Sequence, residues 1–140
     1  MKKRNKPIKC PYCGRTAVLK PGAFLFGNSA AVKHLYVCSG YPACDAYVCA
    51  HEHSMEPMGT LADGALRKLR IRAHASFDAI WQRGIMSRNN AYRWLQDIFS
   101  LRKDQAHIAQ FSTYMCEQVI SASCKVLENN KKRRRIRRVA

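Results

Sequence analysis

Two turn-bearing pairs of cysteines constrain this chain more than any other feature. The first is Cys10-Pro11-Tyr12-Cys13-Gly14, and the second, 24 residues on, is Cys38-Ser39-Gly40-Tyr41-Pro42-Ala43-Cys44. Two thiolates separated by two residues grip one ion when the backbone between them turns, and a glycine after the second cysteine permits the tight approach. The second pair is more widely spaced, but its Gly and Pro still provide a turn that brings both sulfurs to one point. A hairpin between the halves would return one pair beside the other. The plainer alternative is that some of these cysteines are buried, unliganded core residues; the second turn-bearing pair favours zinc. Cys10, Cys13, Cys38 and Cys44 are therefore expected to hold one Zn²⁺. Four thiolates leave no open coordination position, so the ion is expected to be structural.

Cys49-Ala50-His51-Glu52-His53 is a second, ambiguous cluster. Alternate residues of a strand share a face, so Cys49, His51 and His53 could converge on a second metal or substitute for one of the four cysteines. Glu52 would then fall on the opposite face. A polar strand end leading into a loop explains the same residues. Cys116 and Cys124 lie on an apolar helical stripe and read as core.

The composition shifts near Gly59-Thr60. Before it lie five of the seven cysteines and the prolines, with short apolar runs at residues 17–19, 23–26, 35–37 and 46–48 separated by turn residues such as Pro21-Gly22 and Gly27-Asn28-Ser29. These read as short antiparallel strands, in a sheet too small to be stable without its metal staple. Phe24 and Phe26 share a parity on their strand and should share one fate. After the shift the chain reads as helices. Thr60 with Asp63 forms a helix start, and Ala62, Leu66, Leu69, Ala73, Phe77, Ile80 and Trp81 form one apolar face that Gly84 terminates. Ser87 caps a helix with Ala91, Trp94, Leu95, Ile98 and Phe99 inward. A short helical turn follows over 104–111, and Ser112 caps a last helix. Trp81, Trp94 and Phe99 are expected at the centre of the core, with His74 and His107 as hydrogen-bonded core histidines. The expected architecture is α+β: a basic arm over 1–9, a zinc ribbon over 10–58 packed against three to four helices over 59–130, and a flexible, disordered basic tail over 131–140.

Charge bounds the partners. The net charge of the 140-residue chain is +16. Residues 2–9 hold five of the 25 bases and residues 131–138 hold seven, which leaves 13 in the body against all nine acids. Such basic ends suit a polyanion, because phosphate contacts release condensed counterions. A solvated tail that only maintains solubility is the bland alternative. No apolar run is long enough to span a membrane, and the basic N-terminal residues lead into Cys10 rather than into a signal-type apolar stretch. A reducing cytoplasm is expected, where clustered cysteines mean metal rather than disulfides.

The paired CPYCG and CSGYPAC halves resemble the C-terminal zinc ribbons of bacterial type IA topoisomerases, over residues 10–44. That resemblance implies single-stranded DNA binding by aromatic and basic groups on the sheet; the topoisomerase catalytic machinery is absent. Over most of the chain, the segments 10–14, 36–48, 59–74, 86–95 and 107–111 resemble a family of small phage and prophage zinc-finger proteins. This implies an architecture and a mobile-element origin, hence a bacterial host cell, rather than a reaction. The wide Cys38–Cys44 half and the arginine-rich tail depart from that family's pattern.

Tyr12, Phe24, Phe26, Tyr36, Tyr41 and Tyr47 are candidates to stack on bases, two or three of them free of core duty. Lys20 and Lys33 at the hairpin ends, and Arg67, Lys68, Arg70 and Arg72 on the first helix, are candidate phosphate contacts. So are Lys131, Lys132, Arg133, Arg134, Arg135, Arg137 and Arg138 in the tail. The leading expectation is a non-enzymatic nucleic-acid-binding accessory protein, acting on single-stranded DNA, duplex DNA or RNA. A protein-binding factor that modulates a host nucleic-acid-binding protein is the alternative. A metal-dependent nuclease using His51, Glu52 and His53 is a third, weakened by the lack of paired carboxylates.

Overall fold

The computed structural model describes residues 7–27 and 31–139, with the backbone alone at Val139. Residues 1–6 of the expected basic arm, Asn28 and Ser29 of the expected turn, and Ala140 lie outside the described residues. The protein is α+β. In chain order it has β1 (Ala17–Pro21), α1 (Ala23–Phe26), β2 (His34–Cys38), β3 (Tyr47–Cys49), α2 (Gly64–Gln82), α3 (Arg88–Phe99), two 3₁₀ turns (Lys103–Gln105 and Ile108–Gln110) and α4 (Thr113–Val139). It divides into two compact units, Met1–Arg67 and Lys68–Ala140, so the division falls inside α2, beyond the change in composition near Gly59.

In the first unit the three strands form an antiparallel meander in the order β1-β2-β3. Ala17 pairs with Cys38 and Pro21 with His34, while Leu35 pairs with Cys49 and Val37 with Tyr47. This register delivers Cys38 to the end of the central strand. A small core of Cys10, Ala17, Cys38, Ala46, Val48 and Leu61 is buried there, with Ile8, Tyr36 and Cys44 packed against it. Two of these six are themselves zinc-ligand candidates, so the metal site is built into this core.

The run at 23–26 is one helical turn, not a strand. Gly22 donates its N–H to the Lys33 carbonyl and closes the β1–β2 hairpin, and Leu25 and Phe26 both donate to the Gly22 carbonyl. With Pro21 already paired to His34, residues 23–26 belong to the connection and have no strand to join. Phe24 and Phe26 do share one fate, both being exposed.

Helix α2 begins later than Thr60. Leu61 and Ala62 are buried, and Ala62 exchanges two hydrogen bonds of 3.1 Å with Tyr47, so this stretch extends the sheet instead. Asp63 is the cap: its carboxylate accepts the Leu66 N–H at 2.9 Å.

In the second unit the buried side chains recur at helical spacing: Ala73, Phe77 and Ile80 on α2, Ala91 and Leu95 on α3, and Cys116, Val119 and Ser123 on α4. Gly84, at φ 73°, ends α2 with its N–H on the Trp81 carbonyl and the Ile85 N–H on the Ile80 carbonyl, the pair of bonds that a left-handed glycine makes possible. Ser87 caps α3 through the Asn90 N–H and Ser112 caps α4 through the Met115 N–H. The expected turn over 104–111 is two 3₁₀ turns.

Phe77, not a tryptophan, sits at the centre. It is fully buried, with Tyr92 edge-on at 4.9 Å and the Trp94 ring stacked at 6.5 Å. Trp81, Trp94 and Phe99 are half-buried. The Trp81 indole N–H reaches Asp78, a partner that a fully apolar site would deny it. Ile98 is exposed. Cys124 is exposed as well, while Cys116 is buried. Eight residues at 100° each leave the two about 80° apart around the helix, and Ser123 takes the inward place. His74 and His107 are exposed rather than core, His74 bonding Asp78 on its own helix.

The basic tail is helical. α4 runs to Val139, and residues 131–138 continue it with every side chain exposed. Lys and Arg are good helix formers, no Gly or Pro interrupts the stretch, and cations are favourable at a helix C-terminus. Among the described residues no helix is long and apolar enough to cross a membrane.

Candidate metal centre

The first cysteine pair is carried by a tight hairpin. Lys9 bridges to Thr16, Cys10 donates its N–H to the Arg15 carbonyl, and Gly14 returns its N–H to the Cys10 carbonyl at 2.9 Å. Gly14 has φ 75°, the left-handed conformation this return requires. The second pair begins at the end of β2. Tyr41 donates to the Cys38 carbonyl and Cys44 to the Gly40 carbonyl, so two successive turns absorb the wide spacing. Ser39 donates to the Thr16 carbonyl, which ties the two halves together.

These turns bring four sulfurs to one point. The Sγ atoms of Cys10, Cys13, Cys38 and Cys44 all lie within 4.8 Å of one another. Cys10 and Cys44 are 3.6 Å apart, and Cys13 and Cys38 are 3.3 Å apart. Zn–S bonds of about 2.3 Å in a tetrahedron give S···S edges of about 3.8 Å, so the donor set fits one zinc ion. The protein's cofactor is one structural zinc, held by a set with no vacancy for substrate or water.

The amides match the charge that thiolates carry. The Arg15 N–H, and after it the neighbouring Cys38 thiol, lowers Cys13 to about 7. The Gly40 N–H points at the Cys38 sulfur from 3.4 Å, but burial dominates there and pushes that thiol up to about 12. At Cys44 the Ala46 N–H pulls downward, while burial and neighbouring thiols leave the net direction upward. In each case the amide two residues on faces the sulfur. A dication is what allows four crowded thiols to ionise together.

The second cluster does not assemble. Among the described residues, the four cysteines are the one group of three or more such side chains placed to hold a metal. The strand ends at Cys49. His51 donates its N–H to the Glu56 carbonyl and accepts from Met55, and Ala50 bridges to Pro57, so residues 51–56 form a hairpin turn. The alternation that would align Cys49, His51 and His53 is lost. His51 and His53 are exposed, Cys49 is half-buried with its thiol pushed up by burial, and Glu52 is ion-paired with Lys33. Neither a second metal nor the nuclease constellation is brought together.

The candidate phosphate contacts divide sharply. Arg67 is a structural residue. Its guanidinium lies 3.8 Å from the Tyr47 ring centre, donates to the Asp45 and Ala62 carbonyls, and pairs with the Asp45 carboxylate at 3.3 Å. Arg70 is buried and donates Nε–H to the Phe111 carbonyl at 3.0 Å. Lys33 is exposed but answers Glu52. Lys68 and Arg72 are exposed. Lys20 lies over the Phe24 ring at 5.2 Å, and Phe24 in turn meets Tyr41 at 5.8 Å. Four of the six candidate rings are exposed, namely Tyr12, Phe24, Phe26 and Tyr41, more than the two or three expected. Tyr36 and Tyr47 are half-buried.

Sequence reasoning missed Asp45. Its carboxylate accepts the Gly64 N–H at 3.1 Å as well as the Arg67 guanidinium, so it fastens the start of α2 beside Cys44. Its position directly after the last ligand is a signal that pattern alone does not interpret.

A family model described as a zinc-finger-containing domain matches residues 6–126. No curated protein and no solved structure matches the chain. The family match ends before the basic stretch 131–138.

Proposed function

The chain belongs to the family of zinc-finger-containing domains, and on that footing we propose that it is a non-enzymatic accessory protein that binds nucleic acid mainly through phosphates. The observation that carries this reading is the end of α4. Lys131, Lys132, Arg133, Arg134, Arg135, Arg137 and Arg138 are all exposed on eight consecutive helical residues, with no acid among them. About 12 Å of helix therefore carries seven positive charges, a density close to that of the phosphates along duplex DNA. Charge of this kind fixes affinity and on-rate without reading sequence. The exposed Phe24 and Tyr41 rings beside Lys20 add a surface on which bases can stack. The closed thiolate set supports a structural role for the metal, and the motif order supports a phage or prophage protein working in a bacterial cytoplasm.

Deleting residues 131–140 and titrating a labelled oligonucleotide across a salt series tests this. We expect weaker binding and a flatter dependence of log affinity on log salt, by roughly 0.7–0.9 for each phosphate contact removed. An unchanged slope would remove the tail from the reading. Capture of a host protein that survives nuclease treatment would replace nucleic acid with a protein partner.

A further inference from the structure

The helical unit holds a cleft of about 500 Å³ that the metal centre and the basic end of α4 do not use. Arg88, Asn89, Tyr92 and Arg93 line it from the exposed start of α3, and Lys103 and His107 line it from the turns that follow. The helical spacing explains the first group, since residues 88, 89, 92 and 93 fall on one side of the cylinder. Arg88 is held in place by two rings, lying 4.9 Å from Tyr92 and 5.9 Å from Trp81. Tyr92 is itself fixed against buried Phe77.

The charge in this cleft is unanswered. No carboxylate lines it, and Arg88, Arg93 and Lys103 take part in no ion pair among the described residues. Three cations facing one concavity repel one another unless an anion joins them. The cleft also lies at the positive end of α3. There Ser87 satisfies the Asn90 and Ala91 amides, whereas those of Arg88 and Asn89 precede the helix's own bonding. Beside the cations, the Arg88–Tyr92 stack offers a flat surface that a base can extend, and the side chains of Asn89, Gln96 and His107 offer hydrogen bonds to a base edge. A volume of this order is usual for small-ligand sites.

We propose that this cleft binds one nucleoside phosphate, either free or as a single nucleotide unit of a strand. Arg93 and Lys103 hold the phosphate, and the base stacks on the Arg88–Tyr92 pair. The site stands apart from the tail's contacts and can fail without them.

The test uses the full zinc-loaded chain, titrated separately with adenosine 5′-monophosphate, adenosine, inorganic phosphate and a short single-stranded oligonucleotide. Arg93→Ala/Lys103→Ala is compared with the deletion of residues 131–140. Both substituted side chains are exposed, so far-UV circular dichroism should be unchanged. We expect one saturable site per chain, with the nucleotide bound at least about ten-fold more tightly than adenosine or phosphate alone. The double variant should weaken it by about ten-fold or more, since charge-assisted bonds are lost, and the tail deletion should leave it unchanged. Tighter binding of the mononucleotide identifies a free ligand; tighter binding of the oligonucleotide, with the same sensitivity to the double variant, identifies a strand. Nucleotide binding that ignores the double variant, or that disappears with residues 131–140, overturns the site. Failure of the tail reading alone would leave this result standing.

Discussion

On α2, what a basic side chain touches fixes its role more than its charge does. Arg67 and Lys68 are adjacent in sequence, yet one is stacked on Tyr47 and bonded to Asp45 while the other faces solvent. Arg67→Ala should therefore cost the zinc-loaded protein about 1–3 kcal/mol in denaturant unfolding, whereas Lys68→Ala should stay within about 0.5 kcal/mol of the parent. Equal effects would remove the structural role given to Arg67. The same local reasoning applies to sulfur. Cys38 is buried among the other ligands, so Cys38→Ser leaves three thiolates around a site that needs four. We expect purified Cys38→Ser to lose its zinc, with amide protection lost through β1–β3; zinc content and hydrogen exchange measure both. Retention of one zinc per chain would mean that another donor completes the site.

At the scale of elements, α4 joins two kinds of helix. Its first part buries Cys116, Val119 and Ser123; residues 131–138 bury nothing and carry like charges at spacings of three and four. Such pairs repel, so the end of α4 draws its helicity from residue propensity and from the dipole. Ile136→Pro separates charge from helix, because it breaks the last turns and keeps all seven bases. We expect a loss of ellipticity with the salt dependence of oligonucleotide binding changed by less than about one contact, since counterion release follows charge. A collapsed salt slope would show that the helical form itself is recognised. The metal hairpins are elements of the opposite kind, held by few side chains and many amides. Their conformation is set by Gly14, by the successive turns at 38–44, and by Ser39 reaching Thr16.

At the scale of the whole molecule, stability is sought in two different ways. The Met1–Arg67 unit builds two of its metal ligands into a buried cluster, while the Lys68–Ala140 unit is built around Phe77. Phe77→Ala should destabilise the helical unit by about 3–5 kcal/mol in a chemical melt followed by circular dichroism. All four ligands lie before Arg67, so the variant should still bind one zinc per chain by metal analysis. Loss of metal together with helix would show that the units fold as one.

The spacing of its cysteines pointed to Cys10, Cys13, Cys38 and Cys44 as the ligand set, because each pair carries its own turn, but it left Cys49, His51 and His53 open as substitutes until the fold brought the four sulfurs together. Period and punctuation placed three of the four expected strands, and they determined the Ser87 and Ser112 caps and the stop at Gly84, since caps and stops depend on bonds between near neighbours. Tertiary structure decided whatever depends on residues far apart. Strand pairing turned 23–26 into a connecting helical turn, and the Tyr47–Ala62 bridge moved the cap of α2 to Asp63. Packing placed Phe77 at the centre, buried Arg70 and engaged Arg67, so two of four helix bases left the candidate interface. The hairpin at 51–56 dissolved the alternation that made Cys49, His51 and His53 look like ligands. A side chain's partner is chosen by the whole fold, and charge or periodicity in a sequence names only the residues that are available to be chosen.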